Sequence, residues 1–296
     1  MTAPERPLAS ARIRRDLWLR RVGRIGLRTV PWIVYLFLWL PILVLILFSF
    51  NDAESVSTWQ GFSTRWYRGL VEGSVGSGSF RTEQLLSAVR NSLLVAGVST
   101  LLATAIGTMF ALAVARGRFP GRRAFDALYY LPVVIPDITQ GVSLAVFFRL
   151  AFEAIEAISG VRLVTGFATI IIGHVAFNIA FVAIVVRARL AGMDPTLEEA
   201  AQDLGANRWS TFWRVTFPIL APGVLAGGLL AFTLSLDDFV VTFFTSGVGT
   251  TTLPLFVYGL LKQRVPPEIN AVSALMILAS IVLVAASLAL QRRGRG

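Results

Sequence analysis

The chain has no cysteine, one lysine and one histidine in 296 residues. Without cysteine there are no disulfides, no thiolate metal sites and no cysteine nucleophile. The lysine, Lys262, has no Gly-x-x-x-x-Gly-Lys-Ser/Thr context, so the chain carries no P-loop for nucleotide hydrolysis. The histidine, His174, shares a helical face with Asn178. That pattern reads as interhelical hydrogen bonding, because a metal site needs further ligands that the segment does not supply. No Ser-His-Asp set supports hydrolytic chemistry. Charged residues are also scarce, at 15%. The first 29 residues are polar and basic, and the first apolar run has no small-residue cleavage site, so no cleavable signal is expected.

What fills the chain is apolar. Hydrophobic residues make up 55% and the mean hydropathy is +0.70. Several runs reach the roughly 20 residues that cross a bilayer. The expected fold is an all-α polytopic membrane protein with six transmembrane helices, at about 31–50, 91–115, 124–150, 166–187, 219–243 and 268–290. The net charge of +10 does not point to nucleic acid, because the arginines cluster beside the apolar runs. That is the positive-inside pattern of a cytoplasmic membrane protein.

Residues 1–29 hold eight arginines and two acids and read as a cytoplasmic tail in contact with anionic membrane lipid. Trp18, Leu19, Val22 and Ile25 would form the apolar side of an interfacial helix there. Arg116–Arg123 and the last segment, 292–296, are also expected inside, which puts both termini in the cytoplasm. Residues 51–88, 151–165 and 245–267 are expected outside. Residues 30–291 form one transmembrane domain, with a Gly/Ser stretch at 73–79 as its only low-complexity tract.

The cytoplasmic loop 190–217 organises this arrangement. Asp194 can cap a helix that opens with Pro195. Glu198 and Glu199 fall in the first turn, where the helix dipole favours anions. Gly205 is placed to end the helix in a left-handed conformation. A second helical turn follows at 207–215, and Pro218 starts the next apolar run. A capped amphipathic helix between two spans suits a docking surface for a soluble partner.

Glu199-Ala200-Ala201, then Gly205, then Val215-x-Phe217-Pro218 resembles the EAA loop of ABC-importer permeases. The resemblance implies a MetI-like type I importer fold. In that family the loop is the coupling helix, so Glu198, Glu199, Ala200, Ala201, Asp203 and Gly205 would meet a cytoplasmic ATPase. It also implies a second permease subunit as heterodimer partner, two ATPase subunits that bind ATP and Mg, and a periplasmic or lipid-tethered substrate-binding protein. No cofactor is expected in this chain.

Carboxylates inside a bilayer cost roughly 2.5–3.5 kcal/mol each at mid-membrane and are functional candidates. Asp137 follows a proline pair, Pro132 and Pro136, whose bend frees carbonyls as further acceptors. Asp237 and Asp238 are adjacent in the outer half of span five. In a helix they point about 100° apart, so one would face a pathway and the other a neighbouring helix. The residues do not say which. Ser235 shares a face with Asp238. These acids have no evident internal counter-cation, and a polycationic cargo would supply one.

Ser235-Leu-Asp-Asp238, Pro136-Asp-Ile138, Trp59-Gln-Gly-Phe62, Leu253-Pro254 and Val265-Pro-Pro-Glu-Ile-Asn-Ala271 resemble the spermidine/putrescine permeases, specifically the PotC-like second subunit. The resemblance covers about 30–290. It implies polyamine passage past Trp59, Asp137, Ser235, Asp237 and Asp238 by alternating access. Related permeases for iron, thiamine, sulfate or other small solutes remain open as cargo alternatives. A gradient-driven secondary transporter is disfavoured by the lack of inverted repeats, and a membrane enzyme by the missing catalytic sets.

Overall fold

A computed structural model describes residues 8–54, 58–72, 82–117, 119–262 and 267–293. The Gly/Ser stretch 73–79, the pair Val265-Pro266, the first seven residues and residues 294–296 lie outside them. All the described regular structure is helical. In order the helices are α1 Leu8–Phe48, α2 Arg65–Glu72, α3 Thr82–Arg116, α4 Arg122–Leu128, α5 Leu131–Val134, α6 Asp137–Ser159 and α7 Phe167–Ala191. There follow α8 Thr196–Asp203, α9 Arg208–Thr211, a π turn at Phe212–Thr216, α10 Phe217–Asp237, α11 Val240–Thr245, α12 Leu253–Leu261 and α13 Glu268–Arg293.

Two compact units result. One holds α1, α2 and residues 266–282 of the α13 region; the other holds α3 to α12. In the first unit, α1 is a single helix of 41 residues, about 60 Å at 1.5 Å per residue. The basic tail from Leu8 onward is therefore a helical extension of the first span and not a separate interfacial helix. Of the four apolar tail residues named above, only the Trp18 side chain lies within the description, and it is exposed. Beyond α1 the chain folds around Asn51. Its side chain accepts from the Gln60 amide at 2.9 Å and donates to the Thr58 carbonyl at 2.6 Å. The Trp66 indole donates to the Asn51 carbonyl at 2.7 Å.

In the second unit α3, α7 and α10 pack closely because glycines remove side chains where they cross. A Cβ added at Gly107 would stand 2.9 Å from the Ile179 carbonyl and from Val182 Cβ, and one at Gly227 would stand 3.3 Å from Val182 Cα. Gly223 meets the stem of Arg189 in the same way, so the Gly223-x-x-x-Gly227 pair lies against α7 over its length. Val182, Ala183, Val186, Leu190, Leu220 and Ala231 form the core of this seam.

Among the described residues, four helices are long and apolar enough to cross a membrane. They are Gly26–Phe48, Glu83–Arg116, Phe167–Ala191 and Arg208–Asp237. A fifth crossing arises if the pair Arg122–Val134 and Asp137–Ser159, bent by 107°, is one span. The apolar part of α13, Glu268–Val282, is shorter. The expected count of six is thus corrected to four or five on this criterion.

Boundaries shift as well, each for a local reason. Proline drives its predecessor out of helical conformation. Ile135 accordingly adopts ψ 130 and splits span three before Asp137. That helix then runs on to Ser159, and residues 151–159 are not a loop. The segment 245–267 contains α12, which starts with Pro254 in its first turn, a favoured opening position. Span five does not run to 243. It ends at Asp237, and Asp238 turns to ψ 125 before α11 begins.

Candidate functional site

The break between α10 and α11 gathers the polar residues of the second unit's interior. His174 and Asn178 lie one turn apart on α7, and both are fully buried. Asn178 donates to Ser235 Oγ at 2.9 Å. His174 Nε2 lies 3.0 Å from Thr242 Oγ1 and 3.2 Å from Asp238 Oδ2. The interhelical role read for His174 and Asn178 is what these contacts provide. Asp238 has the His174 imidazole beside it as a hydrogen-bond partner.

Asp238 also receives the amides at the start of α11. Val241 N–H donates to Oδ1 at 3.2 Å, and Thr242 gives its N–H and its hydroxyl to Oδ2, each at 2.8 Å. Asp237 is exposed, on the last helical residue of α10. Because the backbone leaves the helix between the two acids, the 100° rule does not separate them here. Both line one cavity of about 360 Å³, with Asp137, Gln140, Phe177, Phe181 and Phe239 among the other lining residues. That size falls in the lower part of the roughly 300–1,000 Å³ common for small-molecule sites.

Asp137 stands at the first position of α6. The carbonyls freed by the proline break do not add to it as acceptors. Gln140 Nε2 takes them, donating to the Pro132 carbonyl and, at 3.3 Å, to that of Ile135. Ser235 is buried and does not line the cavity; its hydroxyl belongs to the α7–α10 seam. Trp59 belongs to the first unit, half-exposed, edge-on to Phe48 at 5.9 Å. The cavity therefore brings together Asp137, Asp237 and Asp238, and neither Ser235 nor Trp59. Gln140 and Thr242 were not singled out from sequence. A glutamine four residues after a proline, next to freed carbonyls, was the available signal for the first.

The loop after α7 has the caps expected of it, with α8 starting one residue late, at Thr196. Asp194 Oδ1 accepts from the Thr196 amide at 2.9 Å and its hydroxyl at 2.8 Å. These bonds hold the Asp194 carboxyl below its usual pKa, so this cap is present above the carboxylate range and is lost as pH falls through it. Gly205 has φ +86°. Its amide donates to the Gln202 carbonyl at 2.9 Å, and Ala206 N–H reaches back to Ala201 at 3.0 Å. This is the paired closure of a Schellman end.

Asn207 then caps α9 through the Ser210 amide at 2.8 Å. Glu198 turns inward, where Arg116 at the end of α3 and the Thr216 hydroxyl both donate to Oε1. Glu199, Ala200, Asp203 and Gly205 face outward, and Ala201 is half-buried. Leu204 is 90% exposed, and Trp209 is exposed beside it in sequence.

Residues 103–293 match the family model described as the binding-protein-dependent transport system inner membrane component. The chain is 40% identical over 244 residues to the putrescine transport system permease protein PotI of Escherichia coli (strain K12), covering 82% of each chain. It is 37% identical over 254 residues to the spermidine/putrescine transport system permease protein PotC of the same organism, covering 86% of this chain and 89% of that one.

Two solved structures have the same fold. One is a bacterial ABC transporter involved in the import of the acidic polysaccharide alginate, with a TM-score of 0.70 at 21% identity, covering 94% of this chain and 99% of that chain. The other is the MetNI methionine ABC transporter, with a TM-score of 0.53 at 16% identity, covering 79% and 99%.

Proposed function

The chain belongs to the family of binding-protein-dependent transport system inner membrane components, and from that premise we propose that it forms half of the path of a polyamine importer. It is a permease subunit of an ABC importer with the MetI-like fold, a transport component and not an enzyme.

One observation carries the choice of cargo. Asp137 and Asp237 line a single cavity with Phe177, Phe181 and Phe239, and neither carboxylate has a side-chain partner among the described residues. Carboxylates and aromatic faces lining one cavity suit an organic dication. The ammonium groups pair with carboxylates, and the alkyl segment lies against the rings. The relatives named for putrescine and spermidine support the same cargo. Ser235 supports the path from the α7–α10 seam through its hydrogen bond with Asn178, and a part for Trp59 in polyamine passage is what the resemblance of Trp59-Gln-Gly-Phe62 to the polyamine permeases implies.

The crossings of this reading are the five counted above, in α1, α3, the bent α4–α6 unit, α7 and α10, with the shorter apolar helix α13 proposed as a sixth. Both termini are then cytoplasmic, and the chain resides in the bacterial cytoplasmic membrane. Its partners are a second permease, two ATPases that bind ATP and Mg, and a substrate-binding protein. The outward residues Glu199, Ala200, Asp203 and Gly205 meet the ATPase. Glu198 joins α8 to the end of α3 through Arg116 and to the start of α10 through Thr216, so movement of the docked helix reaches both. The cavity then alternates between the two sides. Binding in it is weak, because a tight site does not release its cargo.

The test is uptake of labelled putrescine and spermidine into cells that lack other polyamine uptake, with this chain and its neighbouring components co-expressed. Saturable, vanadate-sensitive uptake that requires this chain is expected. If the ATPase co-purifies but no polyamine enters, the cargo assignment is wrong.

A further inference from the structure

We propose that His174 is a positioning residue of the cargo path. With Thr242 it holds Asp238 as a fixed strut, so that Asp237 alone of the adjacent pair faces the cargo. The inference rests on the reading of the cavity as that path.

The argument starts from the acceptor capacity of Asp238. Four donors converge on its carboxylate: two amides, the Thr242 hydroxyl and His174 Nε2. Three of them share Oδ2. A carboxylate so fully engaged has little left to offer a passing ammonium group.

The protons also fit one pattern. Thr242 gives its hydroxyl hydrogen to Asp238, so its oxygen can only accept from the imidazole. The nitrogen that faces both oxygens, Nε2, therefore carries a hydrogen, which is shared between Thr242 and Asp238. His174 is fully buried and does not line the cavity. Its polar contacts reach the cavity through Asp238. Phe177, three residues along α7, packs on the His174 ring at 5.5 Å and does line the cavity.

Asp237 differs in each respect. It is exposed, has no side-chain partner among the described residues, and sits on the residue before the break. The ψ of 125° at Asp238 sets where the chain beyond it, Phe239–Val241, stands against Asp237 in the cavity wall, and the strut fixes that angle. Removing the His174 donor frees Asp238 to rotate, and the wall beside Asp237 moves with it.

The experiment uses the complete transporter in proteoliposomes, with labelled putrescine as probe, and reads KM and maximal rate separately. Asp237→Asn is expected to raise KM about tenfold or more, and His174→Leu about fivefold. His174→Gln, whose amide can still donate to Asp238, should stay within about twofold of wild type. The decisive reading is the double variant. His174→Leu added to Asp237→Asn should change KM by less than about twofold, because its effect is exerted through a carboxylate already removed.

If the two effects multiply, or if Gln is as damaging as Leu, His174 does not position Asp237. An unchanged KM in Asp237→Asn would overturn the cavity reading as well, which separates the two failures. Should His174→Leu not assemble, Thr242→Val removes the shared hydroxyl with little change of shape and makes the same comparison.

Discussion

The molecule contains two pairs of adjacent acids, Glu198-Glu199 in the loop after α7 and Asp237-Asp238 at the α10–α11 break. Each pair divides its labour in the same way. One carboxylate turns inward and is held by the protein: Glu198 by Arg116 and Thr216, Asp238 by His174, Thr242 and two amides. Its neighbour, Glu199 or Asp237, is exposed. The means differ. Glu198 and Glu199 both sit in α8, and ordinary helical rotation separates them. Asp237 and Asp238 are separated by a change of backbone conformation. The comparison teaches that a motif can flag a pair of acids while only one member is presented to a partner.

The sharpest way to break this parallel is to delete the inward members. Asp238→Leu leaves two buried amides at the start of α11 without acceptors. At about 1–3 kcal/mol for each unpaired group, a loss of roughly 2–6 kcal/mol is expected, read as a large fall in the melting temperature of the detergent-solubilised complex. Asp237→Leu should melt near wild type and still fail in uptake. Equal melting of the two variants would end the distinction.

The next effect is that of Gly205→Val. A β-branched residue at φ +86° carries a penalty of about 1–2 kcal/mol, and the left-handed end of α8 has to rearrange. The variant should assemble and hydrolyse ATP without taking up cargo; normal coupled uptake would show that this helix end does not matter. The smallest effect is expected at the loop pair. Glu198→Gln removes a half-exposed ion pair of roughly 0–1 kcal/mol, and should lower uptake relative to ATP hydrolysis with little change in melting. Glu199→Gln should leave melting unchanged and weaken retention of the ATPase during purification.

The loop after α7 was legible almost residue by residue, because its structure is local. Asp194, Gly205 and Pro218 each act within a few residues of themselves. The spans were legible in the order of the apolar runs, but not in their count on the length criterion or in their interruptions. Pro132 and Pro136 announced a bend and not its size, and Gln140's hold on the freed carbonyls was not anticipated. The break after Asp237 had no sequence signal at all. No proline or glycine stands there, and the helix stops because Asp238 finds donors on α7 and α11. Local rules do not see a partner that lies on another helix. The same limit hid the contact between His174 and Asp238, although both residues had been singled out.

Leu204 has a consequence of a different kind. It stands almost fully exposed beside the left-handed turn, with Trp209 exposed shortly after it. On the reading that an ATPase docks on this loop, these side chains would be covered by it. On a chain without that partner they are exposed apolar side chains, of the kind that chaperones and proteases recognise. The abundance of this chain in the cell should therefore follow the supply of its ATPase, with orphan copies removed and the subunits kept in proportion without matched rates of synthesis.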